Sequence, residues 1–491
     1  MRYLLAIDQG TTSSRAFLVD QNLHLHGVAQ QEFPQRFPQP GWVEHDPEAI
    51  WSSLCATISA LFQQTGVDPR QIAGIGLTNQ RETTVVWDRA SGVPIHPAIV
   101  WQCRRTAPLC EALKRAGKEP LFQQRTGLLL DPYFSGTKIT WLLDQVPGAR
   151  TRARNGALAF GTIDSFLVWR LTGGQSHVTD VSNASRTLLM DLDTCAWSPE
   201  LCDLLQVPMA LLPTIVDSSA VVGTTRHVPG LPDGIPIAGM AGDQQAALFG
   251  ECGFAPGDAK CTYGTGSFLM MNTGDRPVRS RERLLTTVAW RKNGRVTYAL
   301  EGASFIAGAA VQWLRDGLGL VKHASEIETL ARQVSSSGGV VFVPALAGLG
   351  APHWRADARG VITGLTRGTT AAHLARATLE GIALQQCDLV TAMERDSGMS
   401  LTSLRVDGGA AANDLLLQIQ ADLLDRTIIR PQQIETTVIG AAALAGLAVG
   451  VWDSEEALAG HWKEDRRFQP MMETGERTEQ IAAWRQAVAK A

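Results

Sequence analysis

The sequence predicts an α/β protein of two domains built on one plan, and three observations carry that expectation. Apolar runs of strand length alternate with longer runs of helical periodicity, the pattern of sheets covered by helices. The chain has 491 residues, more than one hydrophobic core commonly serves, so at least two domains are expected. A strand–turn–strand unit at residues 3–19 is faintly echoed at residues 260–271, half a chain later. The glycines and proline of residues 250–257 break any regular pattern between the two. Domains over 1–250 and 251–491 follow from that junction.

The first unit is the more informative. Tyr3-Leu4-Leu5-Ala6-Ile7 reads as an apolar strand ending on the carboxylate Asp8, and a second strand begins at Arg15. Between them, the hydroxyls of Thr11, Thr12, Ser13 and Ser14 and several backbone N–H groups are expected at one point. Such a cluster suits phosphate oxygens. Asp8 is placed to hold the Mg²⁺ that accompanies ATP, an ion that favours one or two carboxylates plus phosphate. The plain alternative is a hairpin whose turn happens to carry hydroxyls. A P-loop is absent from the chain, and a phosphate site on strand–turn–strand points instead to the actin-like ATPase superfamily.

Further elements follow in order. Residues 46–63 read as a helix, with Asp46 as N-cap before Pro47. Strands are expected at 72–77 and 83–87, around Thr78-Asn79-Gln80-Arg81-Glu82. The neighbouring Arg81 and Glu82 form a charged donor beside a charged acceptor, able to grip adjacent polyol hydroxyls; the alternative is a surface ion pair worth under about 1 kcal/mol. Residues 237–242 form a small-residue strand running into Asp243, Gln244 and Gln245, then a helix. An Asp at a strand's carboxyl end is where α/β folds place chemistry, and equally where helices place N-caps. Helices are expected at 302–316, 371–393 and 413–424, and short strands at 340–344 and 404–407. Asp407-Gly408-Gly409-Ala410-Ala411-Ala412-Asn413 offers a turn almost without side chains, where an adenine or ribose can approach the backbone. Asn413 there serves as an N-cap or as a base contact.

Composition narrows the partners. With 44 basic and 48 acidic residues, a net charge of −4 gives no bulk attraction for nucleic acid or anionic membrane. The eight cysteines show no C-x-x-C pair and read as reduced thiols of a cytoplasmic protein. The apolar run at residues 3–7 is too short for a secretory leader. The uncharged stretch 436–452 falls short of the roughly 20 residues that span a bilayer. Its Gly and Ala content predicts a buried helix in close backbone contact, and no stable membrane insertion is expected.

Taken together, these segments resemble the FGGY carbohydrate kinases across nearly the whole chain, from Tyr3 to about Trp484. Two stretches are similar to the family's signatures, Tyr133-Phe134-Ser135-Gly136-Thr137-Lys138 leading to Trp141 and Gly360-Val361-Ile362-Thr363-Gly364-Leu365 leading through His373 to Glu380. The resemblance extends to Trp101-Gln102-Cys103-Arg104-Arg105-Thr106, Ser182-Asn183-Ala184-Ser185-Arg186-Thr187 and Gly242-Asp243-Gln244-Gln245. It implies two actin-like (ribonuclease H-like) domains flanking a central ligand cleft, substrate, phosphate and metal falling to the first and nucleotide to the second. The implied reaction is ATP-dependent phosphorylation of glycerol to sn-glycerol 3-phosphate, by a homodimer or homotetramer.

Carried onto this chain, the resemblance implies glycerol held by Arg81, Glu82, Tyr133, Asp243 and Gln244, with Trp101 and Phe268 against its carbon edge. ATP phosphates would meet Thr11, Thr12, Ser13 and Arg15 from one domain, and Thr265 with Gly266 from the other. The nucleoside would lie near Gly308, Gln312, Gly409 and Asn413. Asp8 and Asp243 would face Mg²⁺, and Asp243 would take the proton of the attacking hydroxyl. A kinase of another polyol or a ketose would share the ATP motifs, though Trp101 and Tyr133 leave little room for a sugar. An actin- or chaperone-like ATPase switch would share the hairpin and the Asp-Gly-Gly turn but have no use for a hydroxyl clamp. One departure concerns the loop where some family members carry Gly-Gly-Lys and bind fructose 1,6-bisphosphate. Here residues 226–234 hold no lysine, so regulation by the bisphosphate is not expected, and His227 in that loop is expected to be simply solvated.

Overall fold

The computed structural model describes residues 2–491. Two sheets of one design organise them. The first has six strands in the order Ser219–Thr224, Pro236–Gly242, Ile72–Asn79, Tyr3–Gln9, Ser13–Val19, Leu25–Glu32. Its last three strands form an antiparallel meander, while Ile72–Asn79 and Pro236–Gly242 run parallel to Tyr3–Gln9 and Ser219–Thr224 closes the edge antiparallel. The second sheet has seven strands, in the order Leu285–Lys292, Arg295–Ser304, Ser267–Gly274, Ala259–Tyr263, Ser403–Asp407, Thr427–Pro431, Glu464–Phe468. It repeats the plan of meander, two parallel strands and antiparallel edge, with one strand added to the meander.

The duplication extends to one helix per half. Asp243–Gly250 follows the last parallel strand of the first sheet, Pro236–Gly242, and Thr436–Ala448 follows that of the second, Thr427–Pro431. The two helices pack directly on each other between the sheets. A Cβ on Gly440 would lie 1.8 Å from the Ala246 carbonyl oxygen, and one on Gly250 would lie 2.0 Å from that of Thr436. Glycine is required at both points because backbone meets backbone. The apolar run at 436–452 is therefore the buried, closely packed helix that its composition predicts, ending at Ala448. It also lies on the first sheet, where Cβ atoms on Gly76 and Gly239 would strike it at 2.0 and 2.5 Å.

Most elements form where local signals place them. Asp46 caps helix Pro47–Thr65, accepting from the Glu48 N–H, and Asn413 caps Asp414–Leu424, accepting from the Leu416 N–H. The helix expected at 302–316 is a correction. Residues up to Ser304 belong to strand Arg295–Ser304, paired along Ser267–Gly274, and the helix runs over Gly308–Asp316. Small residues fit either state locally, and the sheet partner decides. A second correction concerns Ser14. Strand Ser13–Val19 begins earlier than expected, and the Ser14 hydroxyl is buried against Ser53 at 2.8 Å instead of facing the turn. Among the described residues no helix is long and apolar enough to cross a membrane.

Candidate active site

In the first sheet, parallel register brings three chemistry-bearing segments to one edge. Asp8 pairs with Thr78, and Asn79 with Gly242, so Asp8, the Arg81–Glu82 pair and Asp243 all emerge at carboxyl ends of adjacent strands. Crevices of α/β sheets bind ligands there. The second sheet aims its own turn at the same space. Thr262 pairs with Asp407, which sets the Gly264–Gly266 turn beside Gly408 and Gly409. The Gly308 N–H bonds the Gly264 carbonyl at 3.0 Å, joining the start of helix Gly308–Asp316 to that turn.

Between the halves lies a cavity of about 1030 Å³. Thr11, Thr12, Arg81, Glu82, Trp101, Tyr133 and Asp243 line it from the first half, and Thr265, Gly266 and Phe268 face them from the second. The Trp101 and Tyr133 rings meet edge to face at 5.7 Å, and the Trp101 indole N–H donates to the Thr11 hydroxyl at 3.0 Å. This bond ties the aromatic wall to the hydroxyl turn. Phe305, Leu349 and Trp354 continue the apolar wall on the second half; nothing in the local pattern marked them in advance.

Asp243 begins its helix, and its Oδ1 is held twice, by the Gln244 N–H at 2.7 Å and by Arg81 Nε at 3.0 Å. Gly242 makes room for that arginine, since a Cβ there would lie 2.6 Å from Arg81 Cδ. The Asp243 side chain is 34% exposed, whereas that of Arg81 is 2% exposed. Crowding by the surrounding protein raises the Asp243 carboxyl above its ordinary value, against the pull of Arg81 and Lys260, while the nearby Asp8 charge adds to the rise. Such a carboxylate is a stronger base than one in water.

The Arg81–Glu82 pair is buried, not a surface ion pair. Arg81 donates to Glu301 through both terminal nitrogens and to Gln245 at 3.3 Å. Glu82 takes Arg186 Nε at 2.6 Å, and burial raises its carboxyl despite Arg186 and Arg81. Glu82 adopts φ 60°, and its carbonyl accepts from Ser135 at 2.9 Å and from Lys138 at 3.2 Å. Burial lowers the Lys138 ammonium to about 7. Nothing in the sequence pattern marked Glu301, and Lys138 and Arg186 stood out only as members of quoted motifs.

Other expected residues fall at varying distance from the cavity. Gln244 is buried behind it and accepts from the buried Lys260 ammonium, which also reaches Thr262 at 2.7 Å. Ser13 is buried, its hydroxyl accepting from Gln30 at 3.0 Å. Arg15 clasps Asp8 at 2.5 and 3.0 Å and Glu435 at 2.8 Å, so two carboxylates balance its charge. Gln312 and Gly409 are exposed and Asn413 is half-buried; with Gly308, they sit around the second sheet's turn and outside the main cavity lining.

The models of the N-terminal and C-terminal domains of the FGGY family of carbohydrate kinases match residues 3–250 and 259–449. A glycerol kinase of Dechloromonas aromatica is 58% identical over 99% of this chain and 97% of its own length. One of Myxococcus xanthus is also 58% identical, over 100% of this chain and 99% of its own. Among solved structures, Plasmodium falciparum glycerol kinase with ADP superposes with a TM-score of 0.93 at 37% identity, covering 100% of this chain and 98% of that one. A xylulose kinase from Lactobacillus acidophilus reaches 0.88 at 22% identity over 100% and 97%, a likeness of fold. Two halves of one design meeting at a cleft, and matches that run through both halves, place this chain in the FGGY family of carbohydrate kinases.

Proposed function

We propose that this chain transfers the γ-phosphoryl group of ATP to a terminal hydroxyl of glycerol, giving sn-glycerol 3-phosphate and ADP. One observation carries the reading: a polyol-sized clamp, Arg81, Glu82, Tyr133 and Trp101, shares a cavity with Asp243 and with one hydroxyl turn from each half. Glycerol kinases similar along their whole length support the choice of substrate.

Phosphoryl transfer asks a protein chiefly to align groups and balance charge. Arg81 and Glu82 grip adjacent hydroxyls from one side, Tyr133 adds a hydroxyl, and Trp101 with Phe268 covers the carbon edge. Gln244 supports the clamp from behind. Asp243 Oδ1 is held by the Gln244 N–H and Arg81, so Oδ2 is left to accept the proton of the attacking hydroxyl. General-base help of this kind is worth about 10²–10⁴-fold. Thr11, Thr12 and Ser13 receive the phosphates from the first half and Thr265 with Gly266 from the second, while Gly308, Gln312, Gly409 and Asn413 border the nucleoside. Arg15, itself balanced by Asp8 and Glu435, sets the position of Asp8 at the edge of the site.

The donor set fits Mg²⁺. Arg15 occupies only Oδ2 of Asp8, which leaves Oδ1 open to the ion, and the Asp243 carboxylate would face the ion while its Oδ2 is kept for the proton. An open carboxylate oxygen beside a phosphate turn suits an ion that brings its remaining ligands from nucleotide and water. Bound there, Mg²⁺ would neutralise triphosphate charge. Water is the rival nucleophile, and closure of the two halves on glycerol excludes it.

The same reading takes 1–250 and 251–491 as the working domains, a cytoplasmic location and a homodimer or homotetramer, the last tested by light scattering. The decisive experiment is coupled ADP production with and without glycerol, extended to other polyols and ketoses. ADP release that glycerol stimulates supports the assignment. Slow hydrolysis indifferent to glycerol overturns it in favour of an ATPase switch, and preference for a ketose overturns the substrate.

A further inference from the structure

Two ionised groups of the clamp, Arg81 and Glu82, belong to the first half, yet one carboxylate that orients them comes from the second. Glu301 sits in strand Arg295–Ser304, opposite Met270 in the pairing, with none of its side chain exposed. Its Oε1 accepts from Arg81 at 3.1 Å and from Arg186 at 3.0 Å, and its Oε2 accepts from Arg81 again. Arg186, equally buried, passes its Nε to Glu82. A single carboxylate thus bridges two guanidiniums, one in the clamp and one holding the clamp's other member.

The charge on Glu301 is firmly kept. Burial opposes it, but Arg186 and Arg81 draw the carboxyl down to about 2. Two arginines crowded together without it would repel each other in a dry site. Glu301 occupies two of the Arg81 terminal N–H groups and Gln245 a third, while Nε lies 3.0 Å from Asp243 Oδ1 as an ion pair. One N–H of Arg81 Nη2 is then left for a ligand, and its direction is set by Glu301.

We infer that Glu301 is a positioning residue for glycerol, by which the second half fixes the orientation of Arg81 and, through Arg186, of Glu82. The inference rests on the polyol-clamp reading above. It makes the clamp competent only when the halves are seated together, so that substrate binding and domain seating are one event.

The test uses the full-length chain in three variants, Arg81→Ala, Glu301→Gln and Glu301→Asp. Steady-state kinetics are varied in glycerol and in ATP, and thermal midpoints are taken with glycerol alone and with ADP alone. Glu301→Gln is expected to raise the glycerol KM about tenfold or more with the ATP KM within about twofold, and to abolish the glycerol-induced rise in Tm while keeping the ADP-induced one. Glu301→Asp retains the charge and is expected to recover part of the glycerol KM. If Glu301→Gln does not fold, Glu301→Asp decides: a raised glycerol KM alone supports the inference, and an equal change for both substrates overturns it. A glycerol KM within twofold of the parent in both Glu301 variants, beside a raised one in Arg81→Ala, overturns the positioning role alone. An unchanged glycerol KM in Arg81→Ala overturns the clamp reading and this inference with it.

Discussion

The two hairpins share a plan and divide the chemistry. In the first, the turn is closed by Gln9 opposite Ser14, and the next pair inward is Asp8 opposite Arg15. In the second, Tyr263 opposite Ser267 closes the turn, and the next pair is Thr262 opposite Phe268. A carboxylate and a guanidinium in one copy thus stand where a hydroxyl and a phenyl ring stand in the other. The same split holds one strand over. Ile72–Asn79 leads into Arg81 and Glu82, whereas Ser403–Asp407 leads into Gly408 and Gly409. Duplicated backbone therefore does not imply duplicated function. One copy presents most of the ionised side chains to the cleft, and the other presents chiefly backbone and apolar surface, with Arg283 at the cavity wall and Lys260 and Glu301 buried as supports.

If that division is right, substitutions in the first half should strike turnover hardest. Asp243→Asn is expected to lower kcat about 10²-fold or more with glycerol binding still measurable by calorimetry; near-parental turnover would remove Asp243 from the mechanism. Asp8→Asn should follow, with kcat down by about 10²-fold and a higher Mg²⁺ concentration at half-maximal rate, because a fixed charge in a water-poor site is worth several kcal/mol. An unchanged Mg²⁺ dependence would separate Asp8 from the metal.

The pH profile sharpens the same point. A carboxyl raised by burial is neutral below its own pKa, so a base of this kind is lost as pH falls through that raised value. The acid limb of kcat/KM for glycerol should therefore have its midpoint above the ordinary carboxylate value of about 4, and Asp243→Asn should erase it. A midpoint at or below that value would assign the limb to another group.

The paired helices test the symmetric part of the comparison. Gly440 and Gly250 each lie against the backbone of the other helix. Gly440→Val should cost about 1–3 kcal/mol by overpacking, read as a lower denaturation midpoint. Gly250→Val should cost a similar amount. A large effect for only one would show that the interface is less symmetric than the backbone.

Legibility in the sequence follows the same division. Both hairpins, the capped helix after Asp46, the strand ending at Asp243 and the small-residue helix Thr436–Ala448 announce themselves, because each depends on neighbours a few residues away. Glu301, Arg186 and Lys138 do not. Arg186 and Glu301 lie 115 residues apart, and Arg81 and Glu301 lie 220 apart, so no local period or motif marks them as partners. The strand through Ser304 was hidden for a related reason, since only its partner Ser267–Gly274 distinguishes it from the start of a helix. The hydroxyl of Ser14 was legible as a residue but not as a direction. The strand begins at Ser13, two residues before the expected start, and carries the Ser14 hydroxyl to Ser53.

The smallest expected effect is the most discriminating. Phe268 is half-buried, lines the cavity and stands at the position that Arg15 holds in the other hairpin. If it only covers the carbon edge of a three-carbon alcohol, truncation to Ala uncovers about one methylene, worth about 0.8 kcal/mol. That energy corresponds to a rise of about fourfold in glycerol KM with kcat nearly unchanged, because ground state and transition state lose the same contact. A fall in kcat of about 10²-fold would mean that the ring also orients the reacting hydroxyl. The second hairpin would then share in the chemistry, and the division between charged and supporting halves would not hold.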